Sequence, residues 1–262
     1  MAMNSTPSPA LFDIKGRTAL ITGSSRGIGL ALAKGLAEAG ASVIINSRKQ
    51  SDVEQAVAQL QAQGLHALGA AFDVADEPQV EAAFADFDVQ KLAIDIIINN
   101  AGIQHRQPMV DLPLKDWQRV MDTNVTAAFL VGRTAARRMI ARQSGGKIIN
   151  IGSLTSQAAR ATIAPYTVAK GGIKMLSRAM AAEWAQFNIQ ANSIGPGYIL
   201  TDMNTALVND PKFDAWVKSS NPAQRWGQPE ELVGAAVFLA SAASNYVNGQ
   251  IIYVDGGWLS VL

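Results

Sequence analysis

The chain has 262 residues, 48% of them hydrophobic and 16% charged, which supplies a continuous apolar core and excludes an intrinsically disordered chain. Its 22 lysines and arginines balance 21 acidic residues and are scattered, so the sequence offers no basic surface for nucleic acid or an anionic membrane. The absence of cysteine excludes disulfides, thiolate catalysis and cysteine-based zinc sites, and it fits a reducing compartment.

The first part of the chain, residues 1–12, is polar and contains proline, and we expect a flexible leader there. It has neither the basic start nor the apolar run of a secretory signal. No stretch reaches the ~20 consecutive apolar residues that would span a bilayer. The sequence therefore predicts a cytoplasmic protein with one domain, at residues 13–262.

From residue 17 onward, short apolar β-rich runs alternate with helical patterns, which is typical of a parallel sheet covered by helices on both faces. The predicted strands are Thr18–Ile21, Ser42–Asn46, Ala67–Phe72, Ile94–Asn99, Lys147–Ile151, Ile189–Ile194 and Ile251–Val254. The predicted helices are Ile28–Glu38, Val53–Gln63, Pro78–Phe87, Leu114–Arg142, Tyr166–Gln186 and Pro229–Leu239. This order predicts an α/β fold with a doubly wound parallel sheet of about seven strands.

One long irregular segment, residues 195–226, interrupts this alternation and is rich in glycine, proline and asparagine. Loops of this length inside compact domains are usually functional. We expect a substrate lid with two short helices, around Met203–Asn209 and Pro211–Ser219.

The first predicted strand runs directly into a glycine-rich turn, and a helix follows at once. Glycines allow a tight turn and let backbone N–H groups approach a pyrophosphate, which the helix dipole also attracts. Glycines that merely end a strand are the alternative, but the position between a strand and a helix favours a dinucleotide site. Its candidate residues are Gly23, Ser25, Arg26, Gly27, Ile28 and Gly29.

The end of the second predicted strand indicates which dinucleotide is bound. NAD-binding proteins normally carry an acidic residue there, which accepts hydrogen bonds from the ribose 2′-OH. This chain has Asn46, Ser47 and Arg48 instead. The Ser47 hydroxyl and the guanidinium groups of Arg48 and Arg26 can together surround a 2′-phosphate. We therefore expect NADP(H), the alternative being that both arginines are solvated surface groups.

Tyr166 and Lys170 are four residues apart at the start of an amphipathic helix, so both side chains lie on one face. Tyrosine has an ordinary pKa near ~10, and a neighbouring ammonium that stabilises the phenolate lets it exchange protons closer to neutrality. Ser153 follows the fifth predicted strand, at the sheet edge where doubly wound folds bind ligands. Its hydroxyl can hold a substrate oxygen. Surface roles are the alternative for each residue taken alone.

The spacing G-x-x-x-G-x-G, the run Asn99-Asn100-Ala101-Gly102 and the pair Tyr166-x-x-x-Lys170 together resemble the short-chain dehydrogenase/reductase family, over about residues 12–262. The resemblance implies a Rossmann-type fold and hydride transfer between NADP(H) and a carbonyl or alcohol. It also implies a homotetramer. Ser153, 13 residues before Tyr166, matches the serine spacing of the family.

The same resemblance assigns further residues. Lys170 is expected to bind the nicotinamide ribose as well, and Asn124 to hold a water of a proton relay, although a mid-helix asparagine alone would suggest packing. The other cofactor contacts that the resemblance implies are Asp73, Val74, Asn100, Ala101, Gly102, Gly197, Ile199 and Thr201.

Within this family the chain looks most like the gluconate 5-dehydrogenases, which interconvert gluconate and 5-dehydro-gluconate. The similar segments are Asn100–Gln104 with Arg106 and Pro108, Thr162–Tyr166, Pro222–Gly227 and Val247–Gln250. A sugar acid needs a cation for its carboxylate and hydrogen-bond partners for its hydroxyls. The candidate substrate residues are His105, Arg106, Gln157 and Arg160, each of which can equally be a surface or structural residue.

Three other functions remain open at this point. They are a 3-oxoacyl-thioester reductase acting on acyl carrier protein, another polyol or sugar dehydrogenase, and a non-catalytic dinucleotide-binding regulator. The two histidines have no metal-ligand spacing, so we expect no metal site.

Overall fold

The structure, a computed structural model, describes residues 8–261. Seven strands form one sheet: β1 Thr18–Ile21, β2 Ser42–Ser47, β3 Ala67–Ala71, β4 Ile96–Asn99, β5 Gly146–Ile151, β6 Ile189–Pro196 and β7 Ile251–Val254. All pairings are parallel and the spatial order is β3-β2-β1-β4-β5-β6-β7. The order reverses between β1 and β4, which is where doubly wound sheets open a ligand crevice.

Helices cover both faces of this sheet. They are α1 Gly27–Glu38, α2 Gln50–Gln61, α3 Glu77–Val89, α4 Leu114–Met121, α5 Ala127–Arg142, α6 Ala164–Trp184, α7 Thr205–Val208, α8 Pro211–Ser220 and α9 Val233–Ala240. Within the described part of the chain, no helix is both long and apolar enough to cross a membrane.

Neighbouring residues of each strand enter two different apolar clusters. Ile21 and Ile45 pack with residues of α1, α2 and α9, whereas Leu20 and Ile44 pack with residues of α3, α5 and α6. Successive strand side chains point to opposite faces of a sheet. Because both faces are buried, these strands are continuous apolar runs in the sequence, and the predicted α/β fold is confirmed.

The predicted helix Leu114–Arg142 is wrong at its centre. A π-helical turn, Asp122–Thr126, separates α4 from α5 and carries Asn124. Single π turns inside α-helices are frequent at functional sites. Here the turn places the buried Asn124 amide against the backbone of Ile103, to which it makes two hydrogen bonds.

Two other segments show details that the sequence pattern did not. Of the predicted leader, residues 1–7 lie outside the described part, and Ser8–Phe12 forms a 3-10 helix whose Phe12 ring lies 6.3 Å from that of Phe238. Strand β6 extends to Pro196, two residues beyond its predicted end, because β7 pairs with it up to Val254. The helices α7 and α8 lie in the segment 195–226 where two short helices were predicted.

Lys147 is a buried lysine at the amino end of β5, away from the carboxyl ends of the strands. Its Nζ donates to Asn245 Oδ1 at 2.8 Å and to Ser244 Oγ at 3.3 Å, and both acceptors are neutral. Burial, and then the charge of Arg17, lower the pKa of Lys147 to about 8. The ordinary value is 10.5, so the folded protein binds fewer protons than the unfolded chain between these two pH values.

We expect the free energy of unfolding of the wild type, relative to Lys147→Met, to rise between about pH 8 and 9.5. The unfolded chain holds the extra proton in this window, so raising the pH favours folding by up to about 1.4 kcal/mol per pH unit. Urea unfolding at several pH values measures the difference. Lys34→Met, at a half-exposed lysine of α1, is the control and should show no such slope. A flat curve for Lys147 would contradict its desolvation.

Candidate active site

The glycine-rich turn lies at the carboxyl end of β1 and is joined to the end of β2. Ser24 Oγ donates to the Ile21 carbonyl at 2.7 Å and accepts from the Asn46 N–H at 3.0 Å. The Ser24 N–H donates in turn to the Asn46 carbonyl at 2.8 Å. These bonds hold the turn rigidly over the switch in strand order.

Two glycines of this turn have different surroundings, one facing open space and the other closely packed. Gly27 has φ +56, and no atom lies within 4 Å of the position that a Cβ would take there. A Cβ on Gly29 would lie 2.5 Å from the Gly23 carbonyl oxygen, so only glycine lets α1 begin this close to the turn. No side chain caps the N–H groups at the start of α1. The helix N-terminus therefore presents free donors to open space, as a pyrophosphate requires.

Asn46 lies one residue before the end of β2, near where NAD-binding proteins carry an acid, and its role is structural. The side chain is 1% exposed. Its Oδ1 accepts from the Gly23 N–H at 3.2 Å, and its Nδ2 donates to the carbonyls of Ala70 and Phe72 at 3.1 and 3.2 Å. A carboxylate would lack those two donors. The amide thus ties β1, β2 and β3 together at the site.

The next residues along β2 are accessible. Ser47 is half-buried and accepts from the Lys49 N–H, and Arg48 is exposed and forms no ion pair among the described residues. Arg26 lies 4.0 Å from Asp202, which follows β6, and both side chains are mostly exposed. Ser47 and Arg48 are therefore available to a ligand, whereas Arg26 already has a weak acidic neighbour.

The segment after β4 packs against the glycine turn. Thr22 Oγ1 accepts from the N–H groups of Asn100 and Ala101, both at 3.0 Å. The Asn100 side chain donates to the carbonyls of Thr22 and Gly23 at 2.9 Å. The structure thus brings the predicted residues Asn100, Ala101 and Gly102 to the same strand edge as the turn. The side-chain oxygen of Asn100 is the part left for a ligand.

The remaining predicted cofactor residues have more varied surroundings. Asp73 accepts from the Ala75 N–H at 2.9 Å in its own turn, and Val74 is buried in the apolar core. Gly197 follows β6 and packs against β7, where a Cβ would lie 2.7 Å from the Asp255 Cα. Ile199 is buried and Thr201 half-buried. Val74 and Ile199 therefore offer a ligand mainly their backbone.

Ser153, Tyr166 and Lys170 come together beyond the end of β5. Lys170 Nζ lies 5.5 Å from the centre of the Tyr166 ring and donates to the Ile151 carbonyl at 2.6 Å. Burial lowers the pKa of Lys170 to about 8. Burial also raises the pKa of Tyr166, and a hydrogen bond with the Ser153 side chain acts the other way. The residues predicted to carry proton transfer are thus adjacent.

One expectation about this cluster differs from the structure. The sequence suggests that Lys170 lowers the pKa of Tyr166, whereas burial in the folded protein raises it. The Lys170 ammonium donates to the Ile151 carbonyl and lies 5.5 Å from the centre of the ring. In this arrangement the tyrosine is a protonated phenol near neutral pH.

Ser156 is a positioning residue that the sequence analysis missed. Its Oγ accepts from the Ser153 N–H at 3.2 Å and donates to the Lys170 carbonyl at 2.8 Å. It thereby joins the 3-10 turn Leu154–Ser156 to α6 and sets the distance between Ser153 and Lys170. The serine pair Ser153-x-x-Ser156, a reciprocal cap of that turn, was the available signal.

The four candidate substrate residues have different surroundings. Partial burial, and then the charge of Arg160, lower the pKa of Arg106. His105 bonds Gln107 at 3.0 Å and lies 3.5 Å from Arg119. Gln157 is exposed and accepts from Lys174 of α6. His105 and Gln157 thus already have partners within the protein.

Comparison with known proteins agrees with this fold. The family described as enoyl-(acyl carrier protein) reductase, adh_short_C2, matches residues 23–259. A gluconate 5-dehydrogenase of Gluconobacter oxydans is 50% identical over 249 residues, which cover 95% of this chain and 97% of the relative. A 5-keto-D-gluconate 5-reductase of Escherichia coli is 47% identical, with coverages of 95% and 98%.

A solved structure is similar as well. The gluconate 5-dehydrogenase of Burkholderia cenocepacia in complex with NADP and tartrate has a TM-score of 0.94 and 50% identity, covering 97% of this chain and 99% of that one. A dinucleotide-dependent oxidoreductase is the class that the fold and site define. The chain belongs to the short-chain dehydrogenase/reductase family.

We expect Asn46→Asp to lower the free energy of unfolding by about 3 kcal/mol or more, since a buried carboxylate would face two carbonyls without donors. Urea unfolding at neutral pH measures it. Ser47→Asp, an acid at the next and half-buried residue, is the matched control and should cost about 1 kcal/mol or less. Equal losses in the two variants would show that the Asn46 bonds do not stabilise the turn.

Proposed function

We propose that this protein is an NADP(H)-dependent oxidoreductase that interconverts D-gluconate and 5-dehydro-D-gluconate. The observation that carries the proposal is the contact of Ser153, Tyr166 and Lys170 at the carboxyl edge of the sheet, next to an uncapped helix N-terminus. The names of relatives 47 and 50% identical over nearly the whole chain support the substrate.

The residues present fit a dinucleotide. The open space at Gly27 and the free N–H groups of α1 suit a pyrophosphate. Ser47 and Arg48 lie where a 2′-phosphate needs a hydroxyl and a cation, and Asn46 leaves no acid to repel it. NADP in the Burkholderia cenocepacia structure supports the choice. When bound, NADP(H) supplies or accepts the hydride.

The protein itself handles the proton. The hydroxyls of Ser153 and Tyr166 hold the reacting oxygen, and Tyr166 donates its proton to that oxygen in reduction or removes it in oxidation. Lys170, with its pKa lowered to about 8, faces the tyrosine ring and would hold the cofactor ribose. Asn124 fixes the backbone of Ile103 through its amide and, in our proposal, binds a water of the proton relay.

Residues 13–262 act in this proposal as one catalytic domain after a leader at residues 1–12, and residues 195–226 as a lid over the substrate. The lid carries α7, α8 and four rings of an aromatic cluster, Tyr198, Phe213, Trp216 and Trp226. The fifth ring of this cluster, Trp258, lies after β7. Closure of such a segment excludes water from hydride transfer.

We also propose a homotetramer in the cytoplasm. Phe129 of α5 and Val168 and Met175 of α6 are 40 to 57% exposed, which favours burial of these helices against other copies. A chain without cysteine suits a reducing compartment. Light scattering measures the oligomeric state, and cell fractionation measures the location of the protein.

We expect the wild type to oxidise NADPH with 5-dehydro-D-gluconate and not with acetoacetyl-CoA. Tyr166→Phe should lower kcat by about a hundredfold or more, because it removes the general acid. Tyr246→Phe, at a fully exposed tyrosine, is the control and should leave kcat unchanged. Turnover of only the thioester would assign the protein as an acyl reductase, and full activity of Tyr166→Phe would refute the mechanism.

We expect Arg48→Asp to raise the KM for NADPH about tenfold or more and to change the KM for NADH much less. The new carboxylate repels a 2′-phosphate but can accept bonds from a 2′-OH. Lys49→Asp makes the same charge change at the next exposed residue and should affect the two cofactors alike. Equal effects of Arg48→Asp on both KM values would contradict the phosphate role.

A further inference from the structure

Gln107 lies on the loop after β4, and its N–H and both ends of its side-chain amide bond to other parts of the protein. The N–H donates to the Thr162 carbonyl at 2.8 Å, and Nε2 donates to the Asp111 carbonyl at 2.6 Å. Oε1 lies 3.0 Å from His105 Nε2. This half-buried residue thus connects the loop with the 3-10 turn Met109–Asp111 and with the segment before α6.

These partners decide which ring nitrogen of His105 carries the hydrogen. The Asp111 carbonyl only accepts, so the Gln107 amide turns its NH2 group towards it and its oxygen towards His105. An amide oxygen also only accepts, which assigns the hydrogen to His105 Nε2. The other ring nitrogen, Nδ1, lies 3.5 Å from the Arg119 guanidinium, which only donates. The contacts therefore select the tautomer with Nε2–H and a lone pair at Nδ1.

His105 in turn connects the loop to α4. Arg119 lies in the last turn of this helix, and Asp116 of the same helix lies 3.3 Å from its guanidinium. Residues three apart on a helix share a face, so this pair orients the guanidinium towards the ring. With Nε2–H bonded to Gln107, the imidazole has no N–H left to donate to a substrate. These contacts suit a positioning role for His105.

The segment that is bonded to Gln107 has a strained backbone. Thr162 has φ +69, a conformation that a β-branched residue rarely adopts. Such strain persists only where the surrounding structure holds it, and it concentrates at ligand clamps and active sites. Here the Gln107 N–H holds the Thr162 carbonyl, two residues before α6 begins. The position of the loop after β4 is thereby passed on to the first turn of α6, which carries Tyr166.

The cofactor side of the same loop is anchored separately. Asn124 makes two hydrogen bonds with the backbone of Ile103, at 2.7 and 2.9 Å. The Asn100 N–H donates to Thr22 Oγ1 at 3.0 Å. The contacts of Gln107 begin only beyond these anchors. A change at Gln107 should therefore leave the part of the loop before Ile103 in place.

We propose that Gln107 is a positioning residue of the oxidoreductase. Through His105 and Thr162 it holds the loop after β4 in place relative to Tyr166, and so fixes the width of the crevice between the two loops. It takes no part in hydride or proton transfer. The kinetic consequence rests on the proposed function, whereas the hydrogen bonds can be tested without turnover.

Nuclear magnetic resonance of the His105 ring tests the hydrogen bonds. The chain has two histidines, so an untagged His66→Gln protein, changed at an exposed residue, leaves His105 as the source of all imidazole signals. A ring N–H held by an acceptor is protected from exchange with water. At about pH 8.5, where free imidazole is neutral, we expect an observable Nε2–H resonance. Adding Gln107→Leu should abolish it, and Gln107→Glu, which keeps an acceptor, should retain it.

Steady-state kinetics tests the consequence for the reaction. We expect Gln107→Leu to lower kcat/KM for 5-dehydro-D-gluconate by about tenfold, since small misplacements near reacting atoms cost up to about a hundredfold. The Kd of NADPH, followed by its fluorescence, should change less than about twofold, because Asn124 anchors the cofactor side of the loop. Gln118→Leu is the matched control. It removes an exposed glutamine of α4 that bonds Asp122 at 2.9 Å, and it should keep the wild-type kcat/KM.

A double-mutant cycle separates positioning from direct contact with the substrate. His105→Leu should lower kcat/KM about as much as Gln107→Leu. The double variant should lose about tenfold rather than about a hundredfold, because both changes break the same linkage. Additive losses would show that His105 acts on the substrate by itself and would overturn the proposal. An Nε2–H resonance that persists in Gln107→Leu would overturn it as well.

The two experiments also separate this proposal from the proposed function. A His105 N–H that depends on Gln107, in a protein that does not turn over 5-dehydro-D-gluconate, would disprove the proposed substrate and keep the linkage. A protein that turns over this acid with the same kcat/KM in the wild type and in Gln107→Leu would disprove the positioning role alone.

Discussion

Parallel pairing of all seven strands is the constraint on which the rest of the molecule depends. Parallel strands need crossover helices, so every strand ends at the same edge of the sheet. The glycine turn, the segment after β4, the Ser153 turn and the segment 195–226 all leave from that edge. Residues more than a hundred positions apart in the chain are thereby brought to one crevice, and the opposite edge is free to hold a structural lysine such as Lys147.

Buried polar side chains then fix the loops to this edge. Asn46 binds the turn and β3, Asn124 binds Ile103 from a π turn, and Ser156 joins the Ser153 turn to α6. Each is nearly excluded from water, where hydrogen bonds are strong and unmade ones are costly. A further chain of such bonds crosses the sheet below the site, from Asn99 through Asn150 and Ser177 to Ser193. The candidate active site is consequently held by donors and acceptors that do not themselves react.

The segment 195–226, our proposed lid, is attached in more than one way. Its N–H groups at Gly197 and Ala223 donate to the carbonyls of Val254 and Gly256, and its aromatic rings pack on one another and on Trp258. Phe213 also lies under Arg160, and Asp202 lies 4.0 Å from Arg26. Aromatic and cation–π contacts are individually weak, on the order of 1 kcal/mol each. The segment is thus tied to β7 and the turn after it by hydrogen bonds, whereas its contacts with Arg160 and Arg26 are of the weaker kind.

The sequence by itself determined the sheet, the glycine turn, and the Tyr166–Lys170 pair, because these depend on local patterns: apolar runs, glycine positions and a four-residue spacing. It did not determine the π turn at Asn124, the structural role of Asn46, the anchoring by Ser156 or the contact of Arg160 with Phe213. Those features join residues that are distant in the chain or depend on burial. The pKa of Tyr166 shows the same division, because its spacing from Lys170 suggests a lowered value whereas burial in the folded protein raises it. Local patterns specify which elements form, whereas packing alone decides which polar groups lose water and what each one then contacts.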